Sequence, residues 1–370
     1  MMVSDQFLLP KAPRHILIIQ LGDIGDVVWT VPTLLSVRDA YPRAMLSVLV
    51  REGSGALLEA EPYLSKIFQV RSYSGGFFEK ARGQVRFISD LRREHFDLVV
   101  DLRTGDRGAL MARLTGAPVR AALLSANASR WRNGMFTHLV RPVNENVRLT
   151  YGAAEQSLRI VRGLGIATKT TIPVLHVSPQ AMTSVRALLA RLDPEWYSVA
   201  NPREAMITLN PFSRWSYKEW KLEKWIPVTQ WLSGELKCRI VLIGSASEKS
   251  KAAVLERACP GAVLNAAGET TLAELAALLS RSRLHIGVDS AAPHIAAAVG
   301  TPTMTLYGPS DWRDWAPVGE QHRVICPDEP CSPCHRKGCD GQGYSRCLDQ
   351  LSVETVKSVI WTAVSPLQST

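Results

Sequence analysis

The sequence predicts an α/β protein of two domains, each a doubly wound, mostly parallel sheet covered by helices. Three observations carry this reading. The chain has 370 residues, enough for two domains of ordinary size. Short apolar runs alternate with stretches of helical period through both halves. Between the halves, from about Pro173 to Asn201, an extended piece, a helical stretch and a run of turn residues interrupt that alternation. The division is placed after residue 178, giving domains 1–178 and 179–370.

His15 to Gln20, HILIIQ, is the first buried strand. Gly22 and Gly25 follow, where tight turns and close approach of a ligand to backbone are allowed. A helix then runs from about Asp26 to Ala40, with Asp26 placed to cap it. The wider glycine pattern of a dinucleotide-binding loop is absent. Leu46 to Val50, Phe68 to Val70, Asp97 to Asp101 and Val119 to Ala122 read as further strands, with helices over Val85 to Glu94 and ending at Met111 to Arg113. Asp101, Thr104 and Asp106 fall at a strand end, where open α/β sheets place ligands and where loops are also capped. Ser125 to Arg148 is polar, basic and aromatic with little periodicity and reads as loops. Tyr151 to Leu164 is helical again, as is Pro179 to Leu192. Asp193 to Pro202 carries turn residues.

The second half opens on the strand Met206 to Asn210. The loop after it, PFSRWSYKEWKLEKW, places Ser213, Arg214 and Lys218 where hydroxyl and charge suit a diphosphate. Trp215 and Trp225 suit packing or base stacking. Arg239 to Gly244 is the next strand; Ser245 to Glu248 then starts a helix with a capping residue and an early acid. Val263 to Asn265 and the helix Leu272 to Ser280 bring Thr270 to another strand end. Leu284 to Val288 is a buried strand, Asp289 and Ser290 offer capping chemistry, and Ala291 to Val299 is a small helix. Thr303 to Tyr307 returns as a strand. Small residues at this helix start leave the N–H groups of Ala291 and Ala292 open to a phosphate. Asp289 would repel that phosphate and suits sugar hydroxyls instead. His294, one turn further, is either a phosphate donor or a packed helix residue.

Composition narrows the function. Apolar content of 46% with 21% charge describes a soluble globular chain. There is no apolar run of membrane-spanning length and no secretory signal, so a cytoplasmic protein is expected. The net charge is +9, and 16 Lys/Arg against 8 Asp/Glu between Arg71 and Arg162 hold nearly all of it. A basic first domain implies an anionic partner such as a phosphorylated glycolipid or a membrane surface, or else a solvated face. No nucleic-acid-binding motif accompanies it, so nucleic acid is not expected.

Three separated segments carry a resemblance. D-S-A-A-P-H from Asp289, with G-T-P-T and Y-G-P-S-D after it, resembles the C-terminal donor motif of glycosyltransferase family 9, the lipopolysaccharide heptosyltransferases. Gly25 to Pro32, G-D-x-x-W-T-x-P, resembles the family's N-terminal segment, and Lys218-Glu219-Trp220 its Lys-x-Trp loop. The resemblance runs from Ile16 to about Val364. It implies the GT-B fold, two Rossmann-like domains facing across a cleft. It further implies an inverting transfer of heptose from ADP-heptose to the phosphorylated lipid A-core of lipopolysaccharide, with peripheral contact at the cytoplasmic face of the inner membrane. Asp26 is then the general base. Lys218 and the helix start after Asp289 meet the leaving diphosphate, so no catalytic metal is expected. Ser213, Arg214, Lys218, Glu248, Thr270, Asp289, Ser290, Ala291, Ala292 and His294 form the expected donor set, with Glu248 at the ribose. Gly25, Asp101 and Arg103 form the expected acceptor set.

Cys331, Cys334, Cys339 and Cys347 lie in a Gly-rich loop with little apolar sequence of its own. In a cytosolic protein, four such cysteines suit a structural Zn or Fe, free thiols or disulfides. A similar tail occurs in family members of the heptosyltransferase III type. The loop is expected to lie away from the chemistry. Beyond it Val353 to Val364 is a closing helix, which in transferases of this architecture packs back on the first domain. Other readings stay open: a transferase of the same fold with another nucleotide-sugar, a non-catalytic glycan- or nucleotide-binding module, or a nucleotide-sugar epimerase.

Overall fold

The computed structural model describes residues 1–7, 9, 11–70, 76–125, 128–142, 152–194, 206–341 and 343–364. The chain divides into two compact units, Met1–His176 and Val177–Thr370. Most of the expected 193–202 turn, and the end of the expected 125–148 loop region, lie outside the described residues.

The first unit holds strands β1 (Met2–Ser4), β2 (His15–Gln20), β3 (Met45–Arg51), β4 (Lys66–Val70), β5 (Leu98–Asp101), β6 (Val119–Leu123) and β7 (His138–Val140). They form one sheet in the order β1-β7-β6-β5-β2-β3-β4, each neighbour pairing parallel. Helices α1 (Ile24–Ala40), α2 (Phe77–Arg93), α3 (Asp106–Leu114), α4 (Arg130–Gly134) and α5 (Glu155–Arg162) connect them. Central strands of such a sheet are covered on both faces, so they read as unbroken apolar runs. Ile16 to Ile19 are accordingly fully buried. Three elements of this unit escaped the sequence reading. β1 comes from the N-terminal segment, and β7 and α4 from the stretch read as loops. A three-residue strand carries too little period to be seen; β1 and β7 become strands because each completes the other's hydrogen bonds at the sheet edge.

The second unit repeats the plan. β8 (Met206–Asn210), β9 (Arg239–Leu242), β10 (Val263–Asn265), β11 (Leu284–Val288), β12 (Thr303–Leu306) and β13 (His322–Ile325) order as β10-β9-β8-β11-β12-β13, all parallel. Its helices are α6 (Pro179–Leu192), α7 (Leu222–Gly234), α8 (Lys249–Ala258), α9 (Leu272–Ser280), α10 (Ala291–Ala298), α11 (Trp312–Trp315), α12 (Arg346–Gln350) and α13 (Val353–Val364). Helix α13 buries Val356, Ile360 and Val364, one per helical turn, in this unit's own core beside Trp225, Val228 and Leu232 of α7. Burial of each such side chain is worth about 1.5–3 kcal/mol. Among the described residues no helix is long and apolar enough to cross a membrane.

In each sheet the winding reverses once, between β2 and β5 and between β8 and β11. Loops leaving the carboxyl ends of those two strand pairs diverge, and the crevice between them is where doubly wound sheets bind ligands.

Candidate active-site regions at the two switch points

In the first unit the reversal brings the loop after β2 against the loop after β5. Asp26 lies in the first turn of α1. One carboxylate oxygen accepts from the N–H of Asp23 at 2.8 Å and so caps the helix; the other accepts from Arg103 Nη1 at 2.8 Å. Capping and a functional role are therefore compatible, because the carboxylate uses one oxygen for each. A side chain at Gly22 would strike Asp26 Oδ2 at 2.2 Å, so glycine is what lets the carboxyl sit there. Burial raises the Asp26 pKa, with Arg103 pulling it partly back. A raised carboxylate is a stronger base once ionised, which suits proton removal. Gly25, expected at the acceptor, is partly exposed in the same turn.

Asp101 and Arg103 part company. Arg103 stays nearly half exposed and carries the contact to Asp26. Asp101 is fully buried and its pKa is pushed up to about 7 by that burial. It accepts from the Arg103 backbone N–H at 3.2 Å and stands 3.7 Å from Arg132. The expected contact of Asp101 with an acceptor thus gives way to a supporting role, since no face of it reaches solvent. Arg132, also fully buried, donates to the carbonyls of Arg103 and Leu123, both at 2.8 Å. A side chain at Gly108 would meet the Asp101 carboxylate at 2.5 Å, so this pocket too is kept open by a glycine. The sequence reading missed Arg132. It lies in a stretch with several arginines, and nothing local marks the one that is buried.

In the second unit the loop after β8 meets the loop after β11. Lys218, at the end of a short 3-10 turn, pairs with Asp289 at 2.7 Å. Asp289 was expected to face sugar hydroxyls; its carboxylate instead faces Lys218, and the residue is only 6% exposed. The pairing resolves the repulsion that Asp289 alone would impose on a phosphate. Ser213 was expected at the diphosphate but is buried, its hydroxyl donating to the Asp289 carbonyl at 3.2 Å. It joins the two loops. Arg214 is exposed, its guanidinium 5.7 Å from the Trp215 ring. Trp225 is a core residue, edge-on to Trp220.

Helix α10 starts at Ala291 after Ser290, whose side chain makes no capping hydrogen bond; it accepts instead from Asn210 at 3.1 Å. Pro293 has no N–H, so Ala291 and Ala292 supply the leading donors of the first turn. His294 is buried, and burial lowers its pKa to about 4, so it is a neutral, packed helix residue at ordinary pH. Glu248, expected at the ribose, caps its own turn by accepting from the Ser245 N–H at 2.6 Å through one carboxylate oxygen. The Glu248 and Thr270 loops lie side by side, joined by a Gly268 N–H to Gly244 carbonyl bond at 2.8 Å.

The four cysteines form no disulfide in this structure and grade from exposed Cys331 to buried Cys347. Burial chiefly, then the nearness of Cys331, Cys334 and Cys339, pushes the Cys347 thiol up to about 11. Four soft donors suit zinc or iron in kind. Among the described residues, however, no three His, Cys, Asp or Glu side chains are arranged to hold an ion. The loop was expected to lie away from the chemistry; it is hydrogen-bonded to the turn before Lys218. Ser216 Oγ donates to the Gly343 carbonyl at 2.7 Å and Ser345 Oγ to the Tyr217 carbonyl at 2.6 Å. The Cys-rich loop therefore braces the turn that carries Lys218.

Two Rossmann-like units, each with charged groups gathered at its switch point, match the domain plan of the GT-B fold. Comparison with known proteins is specific. Residues 84–345 match the profile of glycosyltransferase family 9 (heptosyltransferase). A lipopolysaccharide heptosyltransferase 3 of Escherichia coli is 28% identical over 79% of this chain and 84% of its own. A family 9 glycosyltransferase structure from Veillonella parvula superposes with a TM-score of 0.76 at 19% identity, over 96% of this chain and 97% of that one. An E. coli heptosyltransferase solved with ADP-2-deoxy-2-fluoro heptose gives 0.70, also at 19%, over 94% and 99%. The chain belongs to glycosyltransferase family 9, and it is a glycosyltransferase of GT-B fold.

Proposed function

We propose that the enzyme moves heptose from ADP-heptose to the phosphorylated inner core of lipopolysaccharide, inverting the anomeric centre. The observation that carries the reading is the division of chemistry between two switch points. The first holds a carboxylate whose pKa is raised by burial; the second holds a lysine and a helix start free of side-chain capping. Asp26 takes the acceptor proton, and the first unit, with Arg103 and Gly25, holds the acceptor. Lys218 and the N–H groups of Ala291 and Ala292 hold the diphosphate as it leaves. Arg214, Glu248, Thr270 and Ser290 complete the donor side. The heptosyltransferase relatives and the structure solved with an ADP-heptose analogue support this choice of donor. The test is ADP release from ADP-heptose with and without delipidated core acceptor. Release only with acceptor is expected; binding without turnover, or turnover with other ADP-sugars alone, overturns it.

Lys218→Ala should weaken ADP binding by at least tenfold, because a charged hydrogen bond of about 1.5–3 kcal/mol is lost and Asp289 is left facing the phosphates. Calorimetric titration with ADP reads this directly, and an unchanged affinity removes Lys218 from the donor site.

The four cysteines are further proposed to hold one structural Zn or Fe, with no metal in the chemical step. Elemental analysis should find about one ion per chain. Because the loop braces the Lys218 turn, Cys334→Ser should lower both thermal stability and ADP affinity. A metal-free protein unaffected by that substitution returns the cysteines to free thiols. Contact with the cytoplasmic face of the inner membrane completes the proposal.

A further inference from the structure

Tyr307, the residue after β12, is fully buried, yet its hydroxyl has no hydrogen-bond partner among the described residues. Its place is set by strand register. Val288 of β11 pairs with Leu306 of β12, and both join the core that α13 covers. The N–H of Asp289 donates to the Leu306 carbonyl at 3.1 Å, so Asp289 and Tyr307 form the next row. Side chains alternate along a strand, so both turn to the opposite face, beneath α10. The backbone there is held on both sides. The Tyr307 N–H donates to the Ile325 carbonyl at 2.9 Å, and Ser332 Oγ donates to the Gly308 carbonyl at 2.7 Å. Burial, then the nearby charge of Asp289, pushes the Tyr307 pKa up, so the hydroxyl keeps its proton and can donate.

A buried hydroxyl without an acceptor costs stability, and its persistence calls for a state in which it finds one. The site described above supplies that state. Lys218 faces the buried Asp289 carboxylate at 2.7 Å. A diphosphate carries more negative charge and draws the ammonium toward itself, away from Asp289. A buried carboxylate that loses its cation is costly unless another donor replaces it. Tyr307, in the same row and on the same face, carries such a donor. We propose that Tyr307 is a positioning residue of the donor site: as Lys218 passes from Asp289 to the diphosphate, the Tyr307 hydroxyl takes over the Asp289 carboxylate. The exchange frees the ammonium charge for the leaving group while Asp289 stays hydrogen-bonded. It deepens the proposed function and rests on the placing of Lys218 at the diphosphate.

Tyr307→Phe removes the hydroxyl alone, and the test reads ADP affinity by calorimetry and the melting temperature without ligand. Affinity should fall by about tenfold or more, the worth of a hydrogen bond to a charged group. Melting should stay unchanged or rise, because the ligand-free protein loses only an unsatisfied group; a merely structural hydroxyl would show the reverse. In Lys218→Ala, Asp289 already lacks its cation, so the hydroxyl should serve it without ligand. Adding Tyr307→Phe there should lower melting by about 3 °C or more and change ADP affinity by less than about threefold. Melting lowered equally in both backgrounds, or unchanged in both, overturns the inference. So does unchanged ADP affinity in Tyr307→Phe, which would show Lys218 serving carboxylate and phosphate together. The melting comparison uses no ligand, so it decides the exchange whatever the protein transfers. A protein that transfers no heptose but keeps the background-dependent melting would refute the proposed function and leave the role of Tyr307 standing.

Discussion

Asp26→Asn is expected to lose about 10²–10⁴-fold in turnover while keeping its fold and its affinity for ADP. The asparagine oxygen can still accept from the Asp23 N–H, so the start of α1 stays capped. What disappears is the group that takes the acceptor proton, together with the ionic contact to Arg103. The expected loss corresponds to about 2.7–5.5 kcal/mol of transition-state stabilisation. Single-turnover rates with saturating donor separate the chemical step from binding. A rate within tenfold of wild type removes Asp26 from the role of base. The wild-type rate should also rise with pH as Asp26 ionises. Because burial raises that pKa, the rise should be centred above the ordinary carboxylate value of 3.8.

Arg132→Met should destabilise the first unit by about 3–5 kcal/mol, the usual cost of breaking a buried ion pair by removing one partner. Methionine fills much of the volume. It leaves the carbonyls of Arg103 and Leu123 without their donor and Asp101 without its cation. The pH dependence has a definite sign. Asp101 has a folded pKa of about 7, above its ordinary 3.8. Stability from its protonated form is full below 3.8 and lost as pH rises through about 7. Without Arg132 the folded pKa moves higher still, so the deficit relative to wild type should widen above neutral pH. Urea denaturation of both proteins at several pH values measures this; a deficit below about 1 kcal/mol would show that the pair contributes nothing of note. Because Arg132 and Asp101 hold the two sides of the Arg103 peptide, residual folded protein should also show a shifted pH profile for turnover.

The sequence by itself determined the architecture and the loops that leave the strands at the two switch points. Parallel strands buried on both faces must be continuous apolar runs, so β2, β8 and β11 are legible in HILIIQ, MITLN and LHIGV. Binding loops of such sheets leave the strand carboxyl ends, so Asp26, Lys218 and Asp289 could be placed on them without coordinates. Which way those side chains turn was decided by tertiary structure alone, because it depends on neighbours far away in the chain. Arg103 lies 77 residues from the Asp26 it pairs with. Asp289 faces Lys218 rather than a sugar, and Ser213 joins two loops rather than holding phosphate. Asp101 and Arg132 look like ordinary charged loop residues until the fold removes both from water. Gly343 and Ser345 lie more than a hundred residues from the turn they brace. Local pattern reports the period and polarity of a segment. The partner of each buried polar group is fixed only when the sheet order brings separate loops together, because each such group must find its hydrogen bonds wherever the fold supplies them.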